Sequence, residues 1–78
     1  MPKVTIYTTP SCVYCRMAKD FFKKHNVAYE EKDVVADEKA RDDMIKKSGQ
    51  LGVPVIDIGG TIIVGFDQDG IKEALGME

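Results

Sequence analysis

The spacing of hydrophobic and polar positions changes several times along this chain, and each change predicts a new element. Residues 3–8 alternate β-branched and aromatic side chains with polar ones and precede Pro10, which predicts a strand followed by a loop. Over residues 12–25 the apolar positions recur at helical spacing, which predicts an amphipathic helix. The predicted inward face of this helix consists of Val13, Met17, Ala18, Phe21 and Phe22.

The middle of the chain predicts a second strand and a second helix. Residues 27–35 carry a mixed apolar and charged pattern that is compatible with a strand. Asp37 has the side chain of an N-cap, and the helix that it begins is expected to reach Lys47 or Ser48. Gly49 is then expected to end that helix.

The last part of the chain predicts a hairpin and a short helix. Residues 55–58 and 61–64 are rich in β-branched residues, and Gly59-Gly60 between them is typical of a tight two-residue turn. The two strands should therefore pair antiparallel. Asp67 can cap a final helix that ends near Gly76, with an inward face of Ile71, Ala74 and Leu75.

The resulting order of elements is βαβαββα. Two strands joined through a helix imply a parallel pair with a right-handed crossover, and the terminal hairpin adds antiparallel strands to the same sheet. We therefore expect an α/β fold with a four-stranded mixed sheet flanked by three helices. A chain of 78 residues leaves room for one domain, which we expect to span residues 1–78.

Composition and charge exclude several classes of function. The 11 basic and 13 acidic residues are interleaved and give a net charge of −2, which argues against a nucleic-acid-binding surface. The apolar runs are only a few residues long, which argues against a membrane span, and the first residues do not form a signal peptide. We therefore expect a cytoplasmic protein, and a monomer.

Cys12 and Cys15 carry the candidate chemistry, because their spacing in the first turn of a helix places them on one face, close enough to form a disulfide. Unpaired N–H groups and the helix dipole should stabilise a thiolate at Cys12. Cys15 lies one turn deeper and should stay protonated. Cys12 is then the thiolate that attacks a substrate disulfide, and Cys15 is the resolving thiol that leaves a Cys12–Cys15 disulfide behind.

Other interpretations of the two cysteines are weaker but remain open. A structural disulfide across so short a loop removes little entropy from the unfolded chain. A zinc site within one chain needs further cysteine or histidine ligands, and the chain has a single histidine, His25. An iron–sulfur cluster held by the cysteines of two chains is an alternative of a different class, because it needs no further ligand from this chain.

Three separated motifs extend this interpretation. Residues 9–15 read Thr-Pro-Ser-Cys-Val-Tyr-Cys, residues 52–54 read Gly-Val-Pro, and residues 65–67 read Gly-Phe-Asp. In order and spacing they resemble the glutaredoxin family over nearly the whole chain. The resemblance implies a thioredoxin-like fold and the reduction of protein disulfides and glutathione mixed disulfides. It also implies that glutathione is the reducing co-substrate and that no cofactor is bound.

The resemblance further implies a set of glutathione-binding residues. A cis peptide bond between Val53 and Pro54, beside Cys12, would leave the backbone of Val53 free to pair with the extended glutathione peptide. At Gly65-Phe66-Asp67, backbone N–H groups would hold the γ-glutamyl carboxylate, and the Asp67 side chain would meet the ammonium group. The same comparison adds Tyr14 and Phe66 to the glutathione-binding residues, and Arg41 as a partner of the glycyl carboxylate.

The chain departs from the family pattern at two positions near Cys12. The proline usual after the first cysteine is Val13, and a lysine often found near that cysteine is replaced by Thr9. Val13 and Gly65-Phe66 also resemble the redoxins that take electrons from thioredoxin reductase and donate them to ribonucleotide reductase. Tyr14, Asp67 and the absence of tryptophan argue against that alternative.

Overall fold

A computed structural model describes residues 3–76 of the chain. Four strands and three helices follow the predicted order. The elements in this part of the chain are β1 (Val4–Thr8), α1 (Val13–Lys24), β2 (Glu30–Asp33), α2 (Glu38–Ser48), β3 (Val55–Ile58), β4 (Thr61–Val64) and α3 (Gln68–Leu75). The predicted α/β fold class is confirmed.

The sheet has the strand order β2-β1-β3-β4 and is mixed, as predicted. β1 runs parallel to β2, with Ile6 beside Glu31, and antiparallel to β3, with Ile6 opposite Ile56. β3 and β4 form the predicted hairpin. Gly59 and Gly60 at its turn have φ values of 58° and 97°, a backbone conformation that glycine adopts without a steric penalty.

Hydrophobic cores lie on both faces of the sheet. On one face, side chains of β1, β3 and β4 pack against α1 and α3, where Phe22 and Ile71 are fully buried. On the other face, Tyr7 and Val55 pack against Met44 of α2. All five residues of β1 are buried. This burial follows because helices cover the central strand on both sides.

The second strand is shorter than predicted and spans Glu30–Asp33 instead of residues 27–35. Val27 belongs to the turn after α1, where its N–H donates to the Phe22 carbonyl at 2.8 Å. At the other end, Asp33 Oδ1 accepts hydrogen bonds from the N–H groups of Val35 and Ala36 at 2.9 and 3.2 Å. This turn takes the chain out of the sheet.

The helices begin and end where the capping residues predict. Asp37 and Asp67 are N-caps, and Gly49 and Gly76 are C-caps with φ values of 73° and 75°. The inward face of α1 was predicted too wide. Ala18, Phe21 and Phe22 are buried, but Val13 and Met17 are 64% and 43% exposed.

The Val53–Pro54 peptide bond is cis, which confirms the expectation from the resemblance. Pro54 is buried directly before β3, and its carbonyl accepts a hydrogen bond of 2.8 Å from the N–H of Gly65. This bond ties the loop before β3 to the loop after β4.

Replacement of Asp37 by alanine should lower the free energy of unfolding by about 0.5–2 kcal/mol, because Asp37 Oδ1 accepts the otherwise unpaired N–H of Ala40 at 3.2 Å. Asp37→Asn should retain most of the stability, since an asparagine amide oxygen caps a helix equally well. Urea unfolding followed by circular dichroism measures both. Asp42→Ala, an exposed change within the same helix, is the control; an equal loss in this variant would contradict the capping role.

Candidate functional site

The two cysteines lie at the start of α1, directly after the loop that follows β1. A short loop after Thr8 leads into Cys12, whose N–H donates to the Thr9 carbonyl at 3.4 Å. Cys12 is the N-cap of α1, and its Sγ accepts a hydrogen bond of 3.2 Å from the N–H of Cys15. The helix start thus supplies a hydrogen-bond donor directly to the Cys12 sulfur.

The cysteines differ sharply in exposure. Both are free thiols, but Cys12 is partly exposed while Cys15 is only 1% exposed. Burial raises the pKa of the Cys15 thiol to about 12, and its hydrogen bond with Cys12 acts in the same direction. A backbone hydrogen bond from Thr9 and the charge of Lys19 oppose this rise in pKa. The Cys12 sulfur is therefore accessible to a ligand, whereas Cys15 is buried and protonated at neutral pH.

A group of polar side chains that the sequence interpretation missed joins α1 to the sheet. Lys19 Nζ donates to Glu31 Oε2 at 2.9 Å, and the hydroxyl of Thr8 donates to the same oxygen at 2.9 Å. The hydrogen bond between Lys19 and Glu31 raises the pKa of Lys19 and lowers the pKa of Glu31. The available signal in the sequence was the position of Lys19, four residues after Cys15 and so on the same helix face.

Exposed apolar side chains follow Cys12 on α1. Val13, Tyr14 and Met17 are 64%, 62% and 43% exposed, on the first turns of α1. Large exposed apolar side chains next to a reactive sulfur are suited to contact with a protein or peptide substrate. Tyr14, one of the predicted binding residues, is therefore available to a ligand.

The backbone of Val53 is also available. Between residues 3 and 76, neither its N–H nor its C=O takes part in a hydrogen bond, although β3 begins only two residues later. A peptide in extended conformation can use such a pair of groups. The predicted closeness of Val53 and Pro54 to Cys12 stays a prediction.

In the predicted binding element at residues 65–67, Phe66 packs against the core and Asp67 is exposed. The Phe66 ring packs against Phe21 with a centroid distance of 6.0 Å and lies against the core between α1 and α3. Asp67 is exposed and caps α3, where its Oδ1 accepts the N–H of Gly70 at 3.1 Å. Phe66 and Gln68 also line an open groove of about 460 Å³ that reaches Met17 on α1.

Arg41 is not joined to these residues by a contact. It lies exposed on α2, and its guanidinium makes no hydrogen bond or ion pair within residues 3–76. Its predicted role at the glycyl carboxylate stays a prediction.

The described residues contain neither a cluster of metal-ligating side chains nor a membrane-spanning helix. No group of three or more histidine, cysteine, aspartate or glutamate side chains placed to hold a metal ion occurs between residues 3 and 76. Within the same part of the chain, none of the helices has the length and apolar character that a membrane crossing requires.

Comparison with known proteins identifies the family. The sequence model of the Glutaredoxin family matches residues 4–63, which include both cysteines and the cis proline. The chain belongs to the glutaredoxin family. Proteins of this family are generally thiol–disulfide oxidoreductases, and the Cys-x-x-Cys pair of this chain fits that class.

The chain is similar to two short bacterial proteins. An uncharacterized glutaredoxin-like 8.6 kDa protein in a rubredoxin operon of Clostridium pasteurianum is 40% identical over 92% of this chain and 96% of its own length. Glutaredoxin 3 of Escherichia coli is 37% identical over 86% of this chain and 81% of its own length.

Solved structures agree with the thioredoxin-like fold. A mutant of the thioredoxin-like protein BC3987 has a TM-score of 0.91 and 35% identity, with both chains covered completely. The glutaredoxin-like NrdH-redoxin of Escherichia coli, described as having a thioredoxin-like activity profile, has a TM-score of 0.80 and 27% identity, covering 91% of this chain and 92% of the other.

Alkylation at neutral pH should distinguish the two thiols. Because the pKa of Cys15 is about 12, only about one Cys15 in 10⁵ is a thiolate at pH 7, and burial blocks access as well. A brief exposure of the reduced protein to iodoacetamide should therefore modify Cys12 alone, as peptide mapping by mass spectrometry would show. In guanidinium chloride both residues should react. Equal labelling of both in the folded protein would contradict the assigned difference.

Proposed function

We propose that this glutaredoxin family member reduces disulfides with Cys12 as the attacking thiolate and Cys15 as the resolving thiol. The observation that carries this proposal is the difference between the two sulfurs. Cys12 is partly exposed at the N-cap and accepts the Cys15 N–H, whereas Cys15 is buried and protonated. Attack by the accessible sulfur and resolution by the buried one follow from this difference.

The reaction proceeds by two exchanges. The Cys12 thiolate attacks one sulfur of the substrate disulfide, so that a Cys12–substrate disulfide forms and the other substrate sulfur leaves as a thiolate. Cys15 then loses its proton and attacks Cys12 Sγ, which releases the second substrate thiolate. The substrate gains two electrons, and the protein is left with a Cys12–Cys15 disulfide. Two molecules of glutathione restore the dithiol and become glutathione disulfide.

Glutathione as the reductant is supported by the relatives and by the arrangement of the loops. The 37% identity to glutaredoxin 3 extends over most of both chains. The unpaired backbone of Val53 suits strand-like pairing with a tripeptide, and Asp67 at the start of α3 offers a carboxylate to an ammonium group. In this proposal Tyr14 and Phe66 line the bound tripeptide, and Arg41 meets its glycyl carboxylate.

A second candidate is a redoxin that is reduced by thioredoxin reductase and donates electrons to ribonucleotide reductase. Thr9 and Val13 stand where lysine and proline are usual in glutaredoxins, which removes a cationic contact for a glutathione carboxylate. The structural similarity to the NrdH-redoxin favours the same candidate. The dithiol chemistry would be unchanged, and only the source of electrons would differ.

The electron source separates these two candidates. We expect the protein to reduce a small disulfide at neutral pH with glutathione and glutathione reductase, but not with thioredoxin reductase alone, when NADPH consumption is followed. Turnover only with thioredoxin reductase would establish the redoxin instead. Cys15→Ser should keep the reduction of glutathione mixed disulfides and lose that of protein disulfides, because the first needs only Cys12. Loss of both activities in a folded Cys15→Ser variant would contradict the resolving role.

Asp67→Asn tests the ammonium contact without removing the helix cap. Asparagine caps a helix as well as aspartate does, so stability should change little. Loss of the carboxylate charge should raise the KM for glutathione by about two- to fivefold, the effect of one exposed ion pair. Asp37→Asn makes the same change at the N-cap of α2 and is the matched control. A KM that stays at the wild-type value in Asp67→Asn would remove Asp67 from the binding site.

A further inference from the structure

A hydrogen-bonded cluster lies between α1 and the sheet and consists of the side chains of Lys19, Glu31 and Thr8. The reaction proposed above gives this cluster no role. Both Lys19 Nζ and Thr8 Oγ1 donate to Glu31 Oε2 at 2.9 Å. These three residues come from α1, β2 and β1 respectively. The cluster therefore joins the helix that carries Cys15 to the two parallel strands.

The position of Lys19 is defined more closely than that of an ordinary surface lysine. Its side chain is 27% exposed, and the Thr8 residue that shares its acceptor is 2% exposed. The Lys3–Glu30 ion pair gives a contrast, because it is 3.6 Å long and its side chains are 80% and 51% exposed. An ammonium held by a 2.9 Å hydrogen bond to a carboxylate keeps its direction better than one in a long, exposed ion pair.

The charge of Lys19 acts on Cys15. The two residues are separated by one helical turn, and the ammonium opposes the rise in the pKa of the buried thiol. The titratable groups that face this pair are Cys12 beside Cys15, and Glu31 and Tyr29 beside Lys19. In a mixed disulfide the Cys12 sulfur is uncharged, so its repulsion of a Cys15 thiolate disappears while the attraction of Lys19 remains.

We propose that Lys19 is a positioning residue for the second exchange, in which its ammonium, held by the Glu31 carboxylate that Thr8 also bonds, stabilises the Cys15 thiolate as that thiolate forms. This inference rests on the proposed function and gives Lys19 a role in the exchange that uses the buried thiol, Cys15. Cys15 gives its proton to solvent, its sulfur bonds to Cys12 Sγ, and the bond from Cys12 to the substrate breaks. The substrate sulfur leaves with the electron pair of that broken bond.

An aromatic disulfide that releases coloured thionitrobenzoate resolves the two exchanges in one stopped-flow trace. The first release reports attack by Cys12, and the second reports attack by Cys15 on the mixed disulfide; Cys15→Ser should show only the first. In Lys19→Met we expect the second release to slow by about three- to tenfold at pH 7, in line with the loss of one positive charge a helical turn from the thiol. The first release should keep its wild-type rate.

Two further variants separate charge from structure. Lys19→Arg should restore most of the second rate, because arginine keeps the charge and can bond Glu31. Lys23→Met changes an exposed lysine one turn further along α1 and should leave both rates unchanged. The pH profile of the second release should move to higher pH in Lys19→Met, since the pKa of Cys15 rises further when the positive charge is lost.

The outcomes distinguish this inference from the proposed function. A wild-type second rate in Lys19→Met, or an equal slowing of both releases, would overturn the role of Lys19 while the dithiol reaction stands. Failure of Lys19→Arg to recover the rate would overturn it as well. Absence of any first release from the wild-type protein would instead overturn the proposed function.

Discussion

The burial of β1 on both faces is the constraint on which the rest of this structure depends. Its backbone pairs with β2 on one side and β3 on the other, and its side chains contribute to both cores. Each fully buried aliphatic or aromatic side chain contributes about 1.5–3 kcal/mol, so this strand is held more firmly than the edge strands. Because β1 is fixed in this way, the loop that follows Thr8 holds Cys12 in a defined position.

The same layering gives the two cysteines different surroundings. α1 must turn Ala18, Phe21 and Phe22 toward the sheet, and the helical repeat then carries Cys15 inward. Val13 and Met17 lie outside that buried stripe. The distinction between an accessible and a buried thiol is therefore a consequence of packing in the core, and it needs no separate structural device.

Much of the fold was predictable because its signals are local. The N-caps Asp37 and Asp67, the glycine turn at Gly59-Gly60 and the helical spacing of α1 each specify a boundary within a few residues. The extent of β2 was not predictable, since the Asp33 turn competes with strand pairing through side-chain hydrogen bonds. The burial of β1 on both faces depends on helices distant in sequence.

The site shows the same limit. The roles proposed for Cys12 and Cys15 were predicted from their spacing at a helix start, which is local information. The cluster around Lys19 depends on a register in which Glu31 of β2 lies beside Ile6 of β1, and no local pattern specifies that register. The resemblance to glutaredoxins supplied the cis bond at Val53–Pro54, where the residues alone indicated only a turn.

In the proposed reaction, the capping group of α1, the Cys12 sulfur, itself changes its oxidation state. Cys12 Sγ accepts the N–H of Cys15 in the dithiol, and a disulfide sulfur is a poorer acceptor than a thiolate. The hydrogen bond therefore stabilises the reduced protein more than the oxidised one, and this difference raises the reduction potential of the couple. The conformational order of the first turn of α1 should therefore depend on the oxidation state of the protein.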